Sequence, residues 1–119
     1  MRGKVARTER VLCISWEPNL AITRRMLLGR AGYEVISALG EAEARLLCMD
    51  DADLMVLGHS VPQDKKQILI ELFRRHSPAP VLSLLRAGQR KLPQATVAVE
   101  AVQPEDFIQA VRNILPLSA

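Results

Sequence analysis

The chain has 119 residues, of which 16 are basic and 13 acidic, giving a formal net charge of +3. This length fits one domain that can bury a sizeable core. No apolar run approaches the ~18 residues of a membrane-spanning helix, which excludes that class.

Charge is concentrated at the beginning of the chain. Residues 1–10 hold four of the basic residues and one of the acidic ones, so they account for the whole net charge. We expect residues 1–9 to form a mobile basic tail and residues 10–117 to form the folded domain. Because the remainder is neutral, no nucleic-acid partner and no membrane partner are expected.

Signal-peptide and cysteine patterns both indicate the cytoplasm. The apolar run at 11–14 is too short to follow the basic start as a secretory signal. Cys13 and Cys48 lie in apolar segments and are expected to be free thiols. Neither cysteine is near His59 or His76 at the spacing of a metal site, so no metal or other cofactor is expected.

Short apolar runs alternate with amphipathic segments along the chain. They predict strands at 11–15, 33–37, 53–57, 80–84 and 96–99, and helices at 19–31, 41–49, 64–76 and 104–115. Pro18 suits the first turn of a helix and Gly32 suits a helix end. Continuous apolar strands separated by helices are typical of a parallel sheet covered on both faces.

The connection between the last two strands is unusually short. It consists of residues 86–95, which include one glycine and one proline. A crossover between parallel strands needs about a dozen residues and usually contains a helix. We therefore expect a loop with at most one helical turn in this connection.

Four local patterns, in this order and spacing, resemble the receiver domains of response regulators. They are the strand at 10–14 before a Glu17-Pro18 helix start, the approach 30–35 to the second strand, the strand and turn at 53–62, and the helix start at 104–107. The resemblance implies the flavodoxin-like (CheY-like) α/β fold and a role in two-component signalling. Its five-stranded parallel sheet would have the order 2-1-3-4-5 and helices on both faces, with the fourth helix shortened or absent here.

The positions that carry receiver chemistry hold other residue types in this chain. Receivers use two acids to bind Mg²⁺, an aspartate to accept the phosphoryl group, a hydroxyl and a lysine. The corresponding positions are Ser15 and Trp16, Gly58, Leu85 and Glu100. Glycine cannot accept a phosphoryl group, and Glu100 reverses the charge that phosphoryl oxygens need. The resemblance therefore implies a pseudo-receiver that is not an enzyme.

Three residues near the vacated site leave alternatives open. The Trp16 indole either closes the pocket that the acids would line or anchors a partner from an exposed position. His59 is either a turn residue or, with Glu17, part of an atypical phosphotransfer site. A third alternative is a small-ligand sensor at the carboxyl edge of the sheet. Arg24 and Arg25 are assigned to an ordinary helix face.

The leading hypothesis is a stand-alone, phosphorylation-independent protein-interaction module. Its partner would be another signalling or regulatory protein, or a second copy that binds through the fifth strand and the last helix. The candidate contact residues are Val97, Val99, Val102, Phe107 and Val111, with Arg90 and Lys91 at the rim. The alternative is that these apolar side chains fill the core.

Overall fold

The computed structural model describes residues 8–100 and 103–117. The strands are β1 (Arg10–Ser15), β2 (Glu34–Leu39), β3 (Leu54–Leu57), β4 (Val81–Leu84) and β5 (Val97–Val99). The helices are α1 (Pro18–Arg30), α2 (Gly40–Leu47), α3 (Gln63–Arg74) and α4 (Pro104–Ile114). Residues 1–7 of the expected tail, and the candidate contact residue Val102, lie outside the described residues.

The five strands form one parallel sheet in the order β2-β1-β3-β4-β5, which confirms the predicted fold. In the register of this sheet, Ile14 pairs with Leu57, and Leu57 pairs with Ser83. The segments that follow β1, β3 and β4 therefore meet along one side of the sheet. We call this side the carboxyl edge.

Side chains from the central strands alternate between two core clusters, because successive residues of a strand point to opposite faces. The cluster on the side of α3 includes Leu12, Ile14, Met55, Leu57, Leu69, Ile70 and Phe73. The cluster on the side of α1 and α4 includes Val11, Cys13, Leu28, Val56, Leu82, Leu84, Phe107 and Val111. Both faces of the sheet are thus covered by helices.

No helix lies between β4 and β5, as the length of the connection predicted. The loop is held against α3 by side chains of that helix. Gln63 Nε2 donates to the carbonyl of Arg90 at 2.7 Å, and Arg74 Nη2 donates to the carbonyl of Gln94 at 3.2 Å. These bonds fix the loop beside α3 without a helix of its own.

Element boundaries differ from the predicted ones by at most two residues. The second strand extends to Leu39 because its pairing with β1 continues to Ser15. The second helix ends at Leu47 rather than at residue 49. At the amino edge, opposite the carboxyl edge, the Tyr33 hydroxyl donates to the carbonyl of Leu115 at 2.6 Å. This bond joins the start of β2 to the end of α4.

Candidate functional site at the carboxyl edge

The carboxyl edge brings together the positions that in receivers carry acids, acceptor and hydroxyl. Ser15 ends β1, and Gly58 follows β3, where its N–H donates to the carbonyl of Ile14 at 2.9 Å. Leu85 follows β4 and donates its N–H to the carbonyl of Val99 at 2.8 Å. Glu100 follows β5 and is exposed. The predicted positions therefore lie on one edge, but they carry no cluster of carboxylates.

Serine hydroxyls join the two loops at the centre of this edge. Ser15 is fully buried, and its Oγ lies 3.2 Å from Ser60 Oγ. The backbone N–H of Trp16 donates to Ser60 Oγ at 2.9 Å, and the N–H of Glu17 donates to Ser15 Oγ at 3.0 Å. Ser60 thus acts as a structural link between the loops after β1 and β3.

Trp16 is half-buried and packs against the core cluster on the side of α3. Its indole therefore covers part of the edge, and one side of it reaches solvent. Glu17 is exposed at the start of α1 and makes no side-chain cap bond. The geometry agrees with the closing role of Trp16 more closely than with a fully exposed anchor.

Arg24 was not identified as a site residue from the sequence. It projects from α1 and is only 7% exposed, so its assignment to an ordinary helix face was wrong. Its Nη2 lies 3.3 Å from His59 Nδ1, and its Cζ lies 5.9 Å from the centroid of the Phe107 ring, within the range of a cation–π contact. Its Nη1 is buried without a hydrogen-bond partner.

The Arg24 guanidinium fills the space beside Gly58. A Cβ atom on Gly58 would lie 2.6 Å from Arg24 Nη1 and 3.1 Å from the Ile14 carbonyl oxygen. The backbone of Gly58 does not have a positive φ. A larger residue at this position would therefore have to displace the guanidinium, whereas the backbone conformation would not exclude it.

Lys66 is a second buried cation that was not identified from the sequence. It lies on α3 and is fully buried, and its Nζ donates to Ser83 Oγ at 2.9 Å and to the Leu84 carbonyl at 2.8 Å. Burial, and to a smaller extent the charge of Arg24, lower the pKa of Lys66 from 10.5 to about 8. Arg24 and Lys66 thus reach the carboxyl edge from helices on opposite faces.

A periodic signal for both residues is present in the sequence. The buried positions of α1 are Ala21, Arg24 and Leu28, and those of α3 are Lys66, Leu69, Ile70 and Phe73. Each cation occupies a place in the buried stripe of its helix, at the three- and four-residue spacing of one helix face. A charged group in such a stripe needs polar partners, and Arg24 and Lys66 find them at the carboxyl edge.

His59 lies among these cations. It is half-buried in the turn after β3, and its pKa is lowered by burial first and then by the charges of Arg24, Arg86 and Lys66. Nδ1 accepts the Arg24 hydrogen bond, which assigns the proton of the neutral ring to Nε2. We call Arg24, Lys66 and Arg86, arranged around His59, the cationic cluster.

No carboxylate among the described residues pairs with the cationic cluster. The ion pairs within this part of the chain are Arg10–Glu34, Arg45–Glu41 and Lys65–Glu41. In the same residues, no group of three His, Cys, Asp or Glu side chains could hold a metal ion. A site with buried cations and no acid pair does not fit the Mg²⁺ ion that receivers use, since a hard cation needs anionic oxygens.

The candidate contact residues near β5 fall into two groups. Phe107 is 4% exposed and Val111 is fully buried, so these two side chains fill the core, and their predicted role in an outward surface was wrong. Val97 and Val99 are half-buried. Arg90 and Lys91 are exposed in the loop before β5. Among the described residues, no helix is long and apolar enough to cross a membrane.

Comparison with known proteins agrees with this architecture. The sequence matches no protein-family model and no curated protein. The structure is similar to the chemotaxis response regulator CheY4 of Vibrio cholerae, with a TM-score of 0.77 and 21% identity over 92% of this chain and 100% of that one. It is also similar to a CheY-like receiver domain protein from Methanospirillum hungatei, with a TM-score of 0.76 and 17% identity over 90% of this chain and 93% of that one.

A third similar structure is the response regulator TrrA of Thermotoga maritima in complex with Mg²⁺ and beryllium fluoride. Its TM-score is 0.76 at 21% identity, covering 91% of this chain and 100% of that one. At these identities the similarity concerns the fold. The chain therefore has the fold of CheY-like receiver domains, with a different set of side chains at the edge where those domains carry their acids.

Proposed function

We propose that this chain is a pseudo-receiver, a phosphorylation-independent protein-interaction module in signalling that is not an enzyme. The observation that carries the proposal is the Arg24 guanidinium beside Gly58. In the receiver resemblance, this is the position of the phosphoacceptor carboxylate. Here a buried cation fills the adjacent space, and Gly58 has no side chain that could accept a phosphoryl group.

The electrostatics of the edge support the absence of receiver chemistry. Ser15 and Trp16 supply no carboxylate for Mg²⁺, and the nearby charges of the cationic cluster repel a divalent cation. Burial and the nearby cations lower the pKa of the alternative acceptor His59, and its ring already receives a hydrogen bond from Arg24. Glu17, the alternative metal ligand, is exposed. A phosphotransfer site built from these two residues would lack the acid pair that receivers use.

The interaction role rests on the edge strand β5. Within the described residues this strand pairs only with β4, and it exposes part of Val97 and Val99. An unpaired strand edge can dock another chain through its backbone groups. The proposed partner is another signalling protein, or a second copy bound through β5 and the exposed side of α4.

A phosphorylation test addresses the first half of the proposal. The chain is incubated with acetyl phosphate and MgCl₂ and its intact mass is measured, with an active receiver domain as positive control. The mass is expected to remain unchanged, and the Trp16 fluorescence is expected not to respond to Mg²⁺ in a saturable way. A phosphoryl adduct on this chain would overturn the pseudo-receiver assignment.

An interface test addresses the second half. V97T and V99T keep side chains of the same shape but replace a methyl group on β5 with a hydroxyl, and I22S changes an apolar residue on α1 that is 59% exposed. We expect the β5 variants to lose binding to a captured signalling partner, or self-association in sedimentation experiments, while I22S retains it. Thermal unfolding of each variant verifies that it is folded. Equal binding by all variants would exclude β5 as the interface.

A further inference from the structure

A groove runs between α1 and α4 on the surface of the molecule. It has a volume of about 320 Å³ and is lined by Leu27 of α1 and by Pro104, Glu105, Ile108, Gln109 and Arg112 of α4. A smaller hollow of about 130 Å³ shares Leu27 and Pro104 with it. The two hollows therefore form one groove beside α4, which we call the α1–α4 groove.

The side of α4 that lines this groove carries opposite charges at its two ends. Glu105 lies in the first turn of the helix and Arg112 in the last, and both side chains are exposed. They are seven residues apart, which places them on one side of the helix and about 10 Å apart along its axis. At that distance they cannot pair with each other. Neither residue belongs to an ion pair of the described residues, so each charge remains open to another molecule.

An antiparallel contact between two copies of α4 pairs both charges at once. A two-fold axis that crosses the helix between Ile108 and Gln109 brings Glu105 of each copy opposite Arg112 of the other. A parallel contact would instead place Glu105 against Glu105 and Arg112 against Arg112, and like charges at an interface repel each other. The charge pattern of α4 is therefore complementary to a second, antiparallel copy of itself.

Apolar side chains lie between these charges and beside them. Leu27 and Ile108 are half-buried in the groove. Met26 is 52% exposed and follows Thr23, which lines the smaller hollow, by three residues, a spacing that makes them neighbours on the helix surface. A helix placed in the groove would remove part of this apolar surface from water, which favours association. Apolar surface with charged residues at its rim is typical of a protein–protein interface.

We propose that the chain forms a two-fold dimer in which α4 of each copy lies antiparallel along the α1–α4 groove of the other, with Glu105 paired to Arg112 at both ends of the contact. Because exposed ion pairs set its register, the dimer weakens as salt is added. The groove is lined by no residue of β5, so the dimer leaves β5 available to another protein. The proposal therefore goes beyond the β5 interface and does not depend on it.

Charge reversal combined with sedimentation equilibrium provides the direct test. The full chain is measured at low salt over a range of concentrations. E105R and R112E each place like charges opposite one another at both ends of the contact, so each should weaken self-association by about tenfold or more. E105R/R112E reverses both charges together and should restore it. D64R is the matched control, because Asp64 is an exposed acid in the first turn of α3, and it should leave self-association unchanged.

An equimolar mixture of E105R and R112E tests the antiparallel register itself. In a mixed pair the introduced arginine of one chain faces the introduced glutamate of the other, and the unchanged Arg112 faces the unchanged Glu105. The mixture should therefore associate as tightly as the unmodified chain, although each variant alone does not. Neither a parallel contact between α4 helices nor a contact through β5 predicts this recovery. Thermal unfolding of each variant verifies that it is folded.

A cross-linking measurement keeps the proposal testable if a charge-reversed variant does not fold. Gln109 is exposed next to the proposed axis, and Gln67 is exposed on α3. Under mild oxidation Q109C should form a disulfide-linked dimer, and Q67C should not. The native thiols are buried and do not compete.

Three results would overturn the proposal. They are an unmodified chain that stays monomeric at low salt, folded E105R and R112E that associate like the unmodified chain, and a mixture of the two that associates no better than either alone. Equal cross-linking of Q109C and Q67C would do the same. None of these results bears on the intact-mass test or on partner binding by V97T and V99T, so a failure of this dimer is distinguishable from a failure of the proposed function.

Discussion

Arg24 and Gly58 are complementary partners: the guanidinium of one occupies the space where a side chain of the other would begin, with 2.6 Å between Nη1 and a Cβ built on Gly58. The two residues belong to different elements, α1 and the turn after β3. Because the close atom is the end of a flexible side chain, a substitution at Gly58 displaces the guanidinium before it disturbs the backbone. This relationship makes the pair suitable for a double-mutant cycle.

The first prediction concerns packing. We expect G58A to lower the free energy of unfolding by about 1–3 kcal/mol, since overpacking forces the buried guanidinium to move. In the R24M background the same substitution should cost less, with a coupling energy of about 0.5–3 kcal/mol. Urea unfolding of the four proteins in the cycle measures both values.

Gly29 provides a matched control for this cycle. It lies in α1, and a Cβ at this position would have no atom within 4 Å. G29A should raise the free energy of unfolding by about 0.5–1 kcal/mol, because glycine is unfavourable inside a helix. If G58A and G29A changed the free energy of unfolding equally, the close approach of Arg24 to Gly58 would not contribute to stability.

The second prediction concerns restoring the acceptor. In G58D the introduced carboxylate should form an ion pair with Arg24 and remain unphosphorylated by acetyl phosphate and MgCl₂. R24M/G58D removes the guanidinium, yet it should also stay unlabelled, since Ser15 and Trp16 still supply no metal ligands. Measurement of the intact mass shows whether either variant is phosphorylated. Labelling of R24M/G58D alone would mean that Arg24, and not the missing acids, blocks the reaction.

The third prediction concerns the pH dependence that Lys66 imposes. Its pKa is lowered from 10.5 to about 8 in the folded chain, so between these values the unfolded state binds more protons than the folded state. Stability due to this group therefore rises with pH across that window, by at most about 1.4 kcal/mol per pH unit. The free energy of unfolding of the unmodified chain minus that of K66M should show this rise.

Subtracting K66M is necessary because the two thiols act in the opposite direction. Burial raises the pKa values of Cys13 and Cys48 from 9.0 to about 11, so the unfolded state loses these protons first and the fold weakens above pH 9. Both proteins contain both thiols, and their contribution cancels in the difference. If the difference in free energy of unfolding between the unmodified chain and K66M did not change from pH 8 to pH 10.5, the lowered pKa of Lys66 would be contradicted.

The fourth prediction concerns thiol reactivity. Cys13 is 1% exposed and Cys48 is fully buried, and the raised pKa values keep both as unreactive thiols. A disulfide reagent at pH 8 should label neither residue in the native chain and both in denaturant. Labelling that is fast in the native chain would indicate that the core clusters open readily.

The fold was predictable from the sequence because its determinants are local. Each central strand is a continuous apolar run, and the ten residues at 86–95 are too few for a strand-to-strand helix. The content of the candidate site was not predictable in the same way. The helical spacing places Arg24 in the buried stripe of α1, but the space that its guanidinium occupies depends on residue 58, which is distant in the chain. Lys66 has the same dependence on Ser83 and Leu84.

The Tyr33–Leu115 hydrogen bond has a consequence for how the molecule can be tethered. It fixes the end of α4 at the amino edge, where β1 also begins at Arg10, so the first and last described elements leave the fold from the side opposite the cationic cluster. A surface, a fluorophore or another domain that is attached before Arg10 or after Leu115 therefore leaves the carboxyl edge facing solution. Immobilised chain would present Arg86, His59 and Trp16 outward in a uniform orientation.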